Sequence, residues 1–275
     1  MEQICGAHGG IERSRGVNIS IFFESLNIML FILTCSSALI LMGCASTPEK
    51  LQGAEYYYAE GKKSFEKNRC MEATEHFQRL VSNFPGSQRV PEAQYMLAES
   101  FYCSADYVNA VFEYQRLIDI YPASDRLEEA QYKIGESNYQ QMRNPQLDQK
   151  ETYETLKAFR NFIEEHPTSP KVEMARKRII ECRENLAEKL YEAAYLYQRQ
   201  GYLEAARISY SDLLRDYIDT TWYHRTLFNL GKIARDLDDI ENAVRYWKEV
   251  LRDSEDDRLR SEVEKALYKL NETAG

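Results

Sequence analysis

Few residues in this chain have the types and spacing that chemistry requires. The four histidines, at positions 8, 76, 166 and 224, form no i, i+4 pair and no HExxH motif, and no GxxxxGK[ST], GxGxxG or GxSxG motif occurs. The sequence therefore predicts no catalytic residue, no metal ligands and no cofactor. One reactive side chain is well placed, because Cys44 follows an uncharged apolar run at residues 28–41. That run is too short to span a bilayer but has the length of a signal-peptide hydrophobic region.

The residues Leu41-Met42-Gly43-Cys44 resemble the lipobox of bacterial lipoproteins. In that motif a small residue precedes a cysteine that is acylated on its thiol, exposed by cleavage and then acylated on its amine. Gly43 and Cys44 match it, whereas Met42 is larger than the usual residue. The resemblance predicts a signal peptide within residues 1–43 and lipidation of Cys44, whose acyl chains would anchor the protein stably. In enteric bacteria an aspartate after the lipidated cysteine retains a lipoprotein in the inner membrane, so the resemblance, with Ala45 at that position, implies transport to the outer membrane.

Residues 1–27 do not resemble the basic start of a signal peptide. Arg13 and Arg15 lie far from the apolar run, and Glu24 lies between them and it. We expect translation to begin downstream of Met1. The whole chain has 275 residues and a net charge of −9, which disfavours nucleic acid and anionic lipid headgroups as partners.

Two segments repeat at an interval of 37 residues, EAQYMLAES at 92–100 and EAQYKIGES at 129–137. An interval between 20 and 50 residues is typical of repeat arrays, in which each unit buries its apolar face against its neighbours. Small residues at repeat positions 8 and 20, an aromatic residue at 24 and a closing residue at 32 follow the tetratricopeptide (TPR) pattern. The five sets are Gly61, Ala73, Phe77 and Pro85; Ala98, Ala110, Tyr114 and Pro122; Gly135, Thr155, Phe159 and Pro167; Ala194, Ala206, Tyr210 and Ile218; and Gly231, Ala243, Trp247 and Glu255.

The closing residues are separated by 37, 45, 51 and 37 residues, so the period is interrupted twice. Eight extra residues fall around 140–150, and residues 171–200 contain no proline or glycine and read as one long helix. The sequence predicts an all-α, TPR-like solenoid of five hairpins, with a long connecting helix between repeats 3 and 4 and a C-terminal capping helix at 257–271. The predicted segments are 1–43 (extension and signal peptide), 44–54 (lipidated tether), 55–170 (repeats 1–3), 171–200 (connecting helix) and 201–275 (repeats 4–5 and cap).

Three cysteines follow Cys44, at positions 70, 103 and 182. An odd number in a compartment that permits disulfides leaves two possibilities open. Cys70 and Cys103 could form a bridge, or all three could be buried thiols. We expect buried free thiols, because free cysteine is among the most buried residue types.

Tyrosines recur on the first helix of the repeats. Position 5 carries Tyr58, Tyr95, Tyr132, Tyr191 and Phe228, and position 12 carries Phe65, Tyr102 and Tyr139. Tyrosines on a concave groove would give a peptide large contact area at low side-chain entropy cost. The alternative is that they pack between hairpins, and for position 5 we favour this packing role over a groove built from Tyr58, Tyr95, Tyr102, Tyr132 and Tyr139.

Four further features resemble the BamD (YfiO or ComL) family of outer-membrane-assembly lipoproteins. They are the tyrosine-rich helix ending at Gly61, Asp148-Gln149 in the insertion, the long helix from Leu186 to Gly201, and LRDYIDT at 214–220. Lys150 and Ile218 differ from the residues usual in that family. The resemblance covers roughly residues 44–270.

The resemblance implies a lipid-anchored adaptor on the periplasmic face of the outer membrane. Its C-terminal repeats would bind the POTRA region of a BamA-type Omp85 barrel protein, with Arg215, Asp216 and Tyr217 as candidate contacts. Its N-terminal repeats would receive unfolded outer-membrane proteins, and other assembly lipoproteins are possible further partners. The alternatives are a TPR scaffold for another envelope system, such as polysaccharide export or cell-wall division, and an enzyme, for which the sequence offers no acid, base, nucleophile or metal-ligand cluster.

Overall fold

The computed structural model describes residues 52–274, with side chains through residue 272, and this part of the chain consists of eleven α-helices without strands. Their bounds are α1 Ala54–Glu66, α2 Cys70–Asn83, α3 Val90–Cys103, α4 Tyr107–Ile120, α5 Leu127–Tyr139, α6 Lys150–Glu165, α7 Val172–Arg199, α8 Leu203–Asp216, α9 Trp222–Asp236, α10 Ile240–Asp253 and α11 Asp257–Ala274. None of them has the length and apolar character needed to cross a membrane. The predicted signal peptide, most of the tether and Cys44 lie outside the described residues.

Consecutive helices pair into five hairpins, α1–α2, α3–α4, α5–α6, α7–α8 and α9–α10, and each hairpin packs on the next. Helix α11 covers the last hairpin by packing Leu259 and Val263 against Leu227 and Trp247. The predicted fold class is therefore confirmed, including the long helix between repeats 3 and 4 and the cap. The predicted boundaries between the segments stay a prediction. Helix α7 packs on both α6 and α8, so the connecting helix contacts the repeats before and after it.

Each hairpin is closed by an aromatic ring that packs on a small residue of the first helix. A Cβ added to Gly61 would lie 2.9 Å from the Phe77 ring, and one added to Gly231 would lie 2.2 Å from Nε1 of Trp247. Trp247 is fully buried and donates its indole N–H to the carbonyl of Phe228 at 3.1 Å. Repeat positions 8 and 24 are thus in direct contact, and a side chain larger than glycine at Gly61 or Gly231 would push the ring away.

The turn inside a hairpin uses the left-handed backbone region. Asn68, Ala105, Gly201 and Asp238 have φ values of 58°, 58°, 82° and 63°. Asn68 and Ala105 are 37 residues apart, as are Gly201 and Asp238, so one turn geometry recurs at the repeat interval. Hairpin 3 replaces this turn with residues 140–149, which lie along α7. There Nδ2 of Asn185 donates to the carbonyl of Arg143 at 2.9 Å.

Helix α7 is long because it serves two hairpins. Its first half packs Val172 and Ala175 on Phe159 and Phe162 of hairpin 3, as the first helix of the next repeat would. Its second half pairs with α8 through Ala194. The interval between the closing residues of repeats 3 and 4 is 51 residues, which exceeds the regular interval of 37 by 14 residues. The two halves of α7 are therefore 14 residues apart along the helix. Fourteen residues make about 3.9 helical turns, so both halves present nearly the same face.

The expectation of free thiols at Cys70 and Cys103 is wrong. The two residues form a disulfide between the start of α2 and the end of α3, with Cα atoms 5.8 Å apart. Their separation of 33 residues is four less than the repeat, so Cys103 lies beside the turn of the preceding hairpin. Cys182 is a buried free thiol as expected, and burial raises its pKa to about 12.

Candidate functional site

The tyrosines at repeat position 5 lie under cations from the next hairpin. Each cation immediately precedes the first helix of its hairpin, covers the ring of the preceding repeat, and forms an ion pair with a glutamate three residues before that tyrosine. Arg89 lies 4.9 Å from the Tyr58 ring centroid and 2.9 Å from the Glu55 carboxylate. Arg126 lies 5.1 Å from the Tyr95 centroid and 2.9 Å from Glu92. Lys171 lies 5.6 Å from the Tyr132 centroid and 2.5 Å from Glu129.

A second layer of the same kind joins the middle hairpins. Lys133 lies 4.3 Å from the Tyr102 centroid and 3.2 Å from Glu99. One repeat later, Arg178 lies 3.9 Å from the Tyr139 centroid and 3.0 Å from Glu136. The equivalent positions between hairpins 1 and 2 are Lys62, Phe65 and Met96, which cannot make this arrangement. The disulfide joins hairpins 1 and 2 instead.

These contacts place the predicted groove residues at the seams between hairpins. Tyr95 and Tyr132 are only 8% and 9% exposed, while Tyr58, Tyr102 and Tyr139 are half-buried. Burial, with Glu99 near Tyr95 and Glu136 near Tyr132, raises the pKa of both phenols, so they stay protonated. The seam between hairpins 4 and 5 differs, since Trp222 takes the place of the cation and packs on Tyr191 with ring centroids 4.7 Å apart.

Arg215, Asp216 and Tyr217 lie at the end of α8. Arg215 and Asp216 are exposed and form an ion pair of 2.7 Å, and Arg215 also lies 2.9 Å from Asp212. Tyr217 is half-buried beneath Arg183, whose guanidinium lies 5.2 Å from the ring centroid. Nε of Arg183 donates to the Asp219 carboxylate at 2.7 Å, and its Nη2 donates to the carbonyl of Asp216 at 2.7 Å. The end of α8 is thereby fixed to α7.

A cavity of about 360 Å³ opens beside Tyr217, between α6, α7 and α8. Leu156 and Leu186 line its apolar part, and Tyr153 on its edge is 58% exposed. Lys157 and Arg160 also line it and make no ion pair with any described carboxylate. Two of the predicted contact residues, Asp216 and Tyr217, therefore border an apolar pocket with a cationic edge. The described residues contain no group of three or more His, Cys, Asp or Glu able to hold a metal ion.

The chain matches the YfiO family of outer membrane lipoproteins over residues 52–272, which includes every hairpin and nearly all of the cap. It belongs to this family. A comparison with curated proteins found no match. The YfiO-family assignment indicates association with the outer membrane.

Several solved structures of helical-repeat proteins are distantly similar to this YfiO-family chain. The TPR2AB domain of yeast Sti1 has a TM-score of 0.40 and 16% identity, covering 73% of this chain and 77% of that one. MamA from Desulfovibrio magneticus has a TM-score of 0.34 and 16% identity, and the match covers 74% of this chain and 97% of MamA. A thermophilic TPR protein from Thermus thermophilus has a TM-score of 0.34 and 16% identity, and the match covers 78% of this chain and 100% of that protein. These scores are low, so the evidence for the fold of this YfiO-family member is the helix packing described above.

Sequence reasoning missed the cations of the seams, although a signal for them exists. Arg89 and Arg126 are 37 residues apart and Lys171 follows 45 residues later, which are the intervals of the closing residues. It also missed Tyr153, Lys157 and Arg160. These three belong to the interrupted third repeat of the lipoprotein, and no periodic pattern points to them.

Proposed function

We propose that this YfiO-family lipoprotein is an adaptor of the β-barrel assembly machinery that binds the POTRA region of a BamA-type subunit. The family match over residues 52–272 carries the proposal, because it covers all five hairpins. The chemistry of such an adaptor is binding, and the exposed surfaces described above are suited to it. Lipidation of Cys44 would hold the protein on the periplasmic face of the outer membrane.

The cavity beside Tyr217 supports a docking role for the end of α8. Protein interfaces centre on aromatic and apolar side chains and are bordered by polar groups. Here Leu156, Leu186 and Tyr217 provide the centre, and Tyr153, Lys157 and Arg160 provide the border. We infer that the partner inserts an apolar side chain and presents carboxylates to the two cations. Arg215 and Asp216 would lie at the periphery, where exposed ion pairs contribute little affinity.

Unfolded outer-membrane proteins are the second proposed class of partner. Of the five predicted groove residues, Tyr58, Tyr102 and Tyr139 are half-buried whereas the other two are buried, and we assign the peptide contact to these three. Tyr95 and Tyr132 would support that surface from within the seams. Other assembly lipoproteins are further proposed partners.

Binding of a purified POTRA fragment from the cognate Omp85 protein tests the proposal. We expect Tyr153→Ala and Arg160→Glu each to weaken binding about tenfold or more, since both would disturb the centre or the border of the contact. Lys62→Glu on α1 is the matched control for charge reversal, because it is exposed and lies in hairpin 1. Absence of binding by the wild-type protein would contradict the adaptor role. Binding that survives both cavity variants would contradict only the assigned surface.

A further inference from the structure

A second cavity lies between α7, α9 and α11. Its volume is about 280 Å³, and its walls include Tyr195, Phe228 and Leu259. The exposed Tyr195 ring stacks on Tyr191 with an angle of 6° between the planes. The cavity therefore offers one exposed aromatic ring, that of Tyr195, and several charged groups to a ligand of about the size of one side chain.

The ammonium group of Lys232 lines this cavity without a carboxylate partner. Lys232 is half-buried, its Nζ lies 3.9 Å from the Phe228 ring centroid, and it donates to Oδ1 of Asn229 at 3.3 Å. It makes no ion pair with any described acidic residue. Burial lowers the pKa of this ammonium, because the charged form is less stable in this position than in water. A half-buried charge without a counter-ion is an unusual feature that a bound anion would relieve.

The same face of the middle hairpins has no such unpaired cation. Lys133 and Arg178, which also lie over aromatic rings, pair with Glu99 and Glu136 of the preceding repeat. Glu99 and Glu136 occupy repeat position 9, where the first repeat carries Lys62 and the fifth carries Lys232. Lys62 is exposed to solvent, whereas Lys232 is half-buried in the cavity.

The remaining charged side chains around the cavity form no ion pair with Lys232. Arg225 and Arg258 line it and form no ion pair with a described carboxylate. Oδ1 of Asp256 accepts from the backbone N–H groups of Arg258 at 3.0 Å and Leu259 at 3.1 Å, so it caps α11. Glu262, which lines the opening, and Asp236 on α9 partly offset the effect of burial on the pKa of Lys232, but neither forms an ion pair with it. The cavity therefore contains three cations against two carboxylates, one of which is engaged.

We propose that this cavity binds an aspartate or glutamate side chain of a partner protein, with the carboxylate at Lys232 and a neighbouring apolar side chain on Tyr195 and Leu259. The site lies apart from the end of α8 and does not depend on the adaptor role. The volume fits one side chain, and the exposed ring of Tyr195 suits an apolar neighbour. A membrane surface fits less well, because Asp256 and Glu262 line the same opening and the whole chain has a net charge of −9.

Two pools of fluorescent heptapeptides test this proposal, one with a fixed central Glu and one with a fixed central Gln, randomised elsewhere. With the full-length protein in detergent, we expect the Glu pool to bind about tenfold more tightly, as measured by fluorescence anisotropy. Lys232→Met should abolish this preference and Lys232→Arg should keep it. Added salt should weaken the binding of the Glu pool. Lys265→Met, on the exposed face of α11, is the matched control.

Equal binding of the two pools, including no binding of either, would overturn the proposal. A preference for Glu that persists in Lys232→Met would place the carboxylate elsewhere and overturn it as well. Binding to phosphatidylglycerol vesicles that is lost in Lys232→Met would identify a lipid phosphate as the ligand and refute a protein partner. Melting curves of each variant separate these results from loss of folding.

Discussion

Removing the Cys70–Cys103 disulfide should loosen hairpin 1 and leave the rest of the array nearly unchanged. Hairpin 1 has a neighbouring hairpin on one side only, and its seam with hairpin 2 contains one cation–tyrosine–glutamate layer, formed by Arg89, Tyr58 and Glu55. The next two seams contain two layers each. The disulfide therefore provides a covalent link at a seam that has one such layer fewer than each of the next two seams.

The size of the effect follows from the length of chain that the disulfide closes. A separation of 33 residues corresponds, by the loop-entropy estimate, to about 4 kcal/mol. Since repeat arrays open locally from their ends, this free energy should appear mainly in the local opening of α1 and α2. A change of about 4 kcal/mol corresponds to a loss of hydrogen-exchange protection between about a hundredfold and a thousandfold.

Hydrogen exchange measured by mass spectrometry on the oxidised protein, and on the Cys70→Ser, Cys103→Ser double variant, gives the test. We expect faster exchange in α1 and α2 of the variant and unchanged exchange from α5 onward. Cys182→Ala is the matched control, because it removes a thiol without touching hairpin 1. Unchanged protection of α1 and α2 in the double variant would refute the reasoning. So would a non-reduced digest in which the Cys70 and Cys103 peptides are not joined.

Four further substitutions test the packing. Ala105→Gly should stabilise the protein by about 1 kcal/mol in denaturant titration, because Ala105 has φ 58° and glycine accepts this region without steric cost. Gly231→Ala should destabilise it by about 2 kcal/mol, because the added Cβ would lie 2.2 Å from Trp247. Asp219→Asn should reduce the loss of unfolding free energy that occurs as the pH falls below about 4. Arg183 lowers the pKa of Asp219, so the contribution of this pair is complete above the unfolded pKa, near pH 4, and is lost as the pH falls through the lowered folded value. Tyr132→Ala should lower the melting temperature before any peptide affinity changes, because the ring is buried against Phe159 and Phe162.

Gly86→Ala and Tyr153→Ala are the matched controls for Gly231→Ala and Tyr132→Ala. Gly86→Ala should be tolerated, since nothing lies within 4 Å of its added Cβ, and equal damage at Gly86 and Gly231 would refute the ring-contact argument. Lower stability of Ala105→Gly would contradict the turn argument. A loss of unfolding free energy at acid pH that is unchanged in Asp219→Asn would exclude this pair as its cause. Tyr153→Ala, on an exposed ring of the same hairpin, should leave the melting temperature nearly unchanged.

The periodic residues were enough to predict the architecture. Gly61 with Phe77, and Gly231 with Trp247, report a close approach of two helices, and such pairs recur because every hairpin solves the same packing problem. The lengthened intervals predicted the insertion and the long helix, since extra residues between two packed units must lie outside the repeat. The family resemblance drawn from these interruptions was confirmed by the match over residues 52–272.

The contents of the seams were not predictable in the same way. The position-5 tyrosines alone fit either a groove or a seam, and the covering cations settle the location of Tyr95 and Tyr132. Those cations come from residues 31 or 39 positions later, as in Tyr95 with Arg126 and Tyr132 with Lys171. A ring and a guanidinium so far apart meet only through the rotation of one hairpin against the next.

The pairing of the cysteines and the charge of the C-terminal cavity also depended on tertiary structure. The odd number of cysteines after Cys44 and the usual burial of free cysteine favoured free thiols. The disulfide forms because the end of α3 lies beside the turn of hairpin 1. Lys232 reads in the sequence as one charged residue among many, and it becomes distinctive because no carboxylate of α7, α9 or α11 pairs with it. The sequence by itself determined the helices and their order, since helix formation and hairpin packing are local. The tertiary structure alone decided which side chains of neighbouring hairpins meet, because those contacts depend on the offset between units.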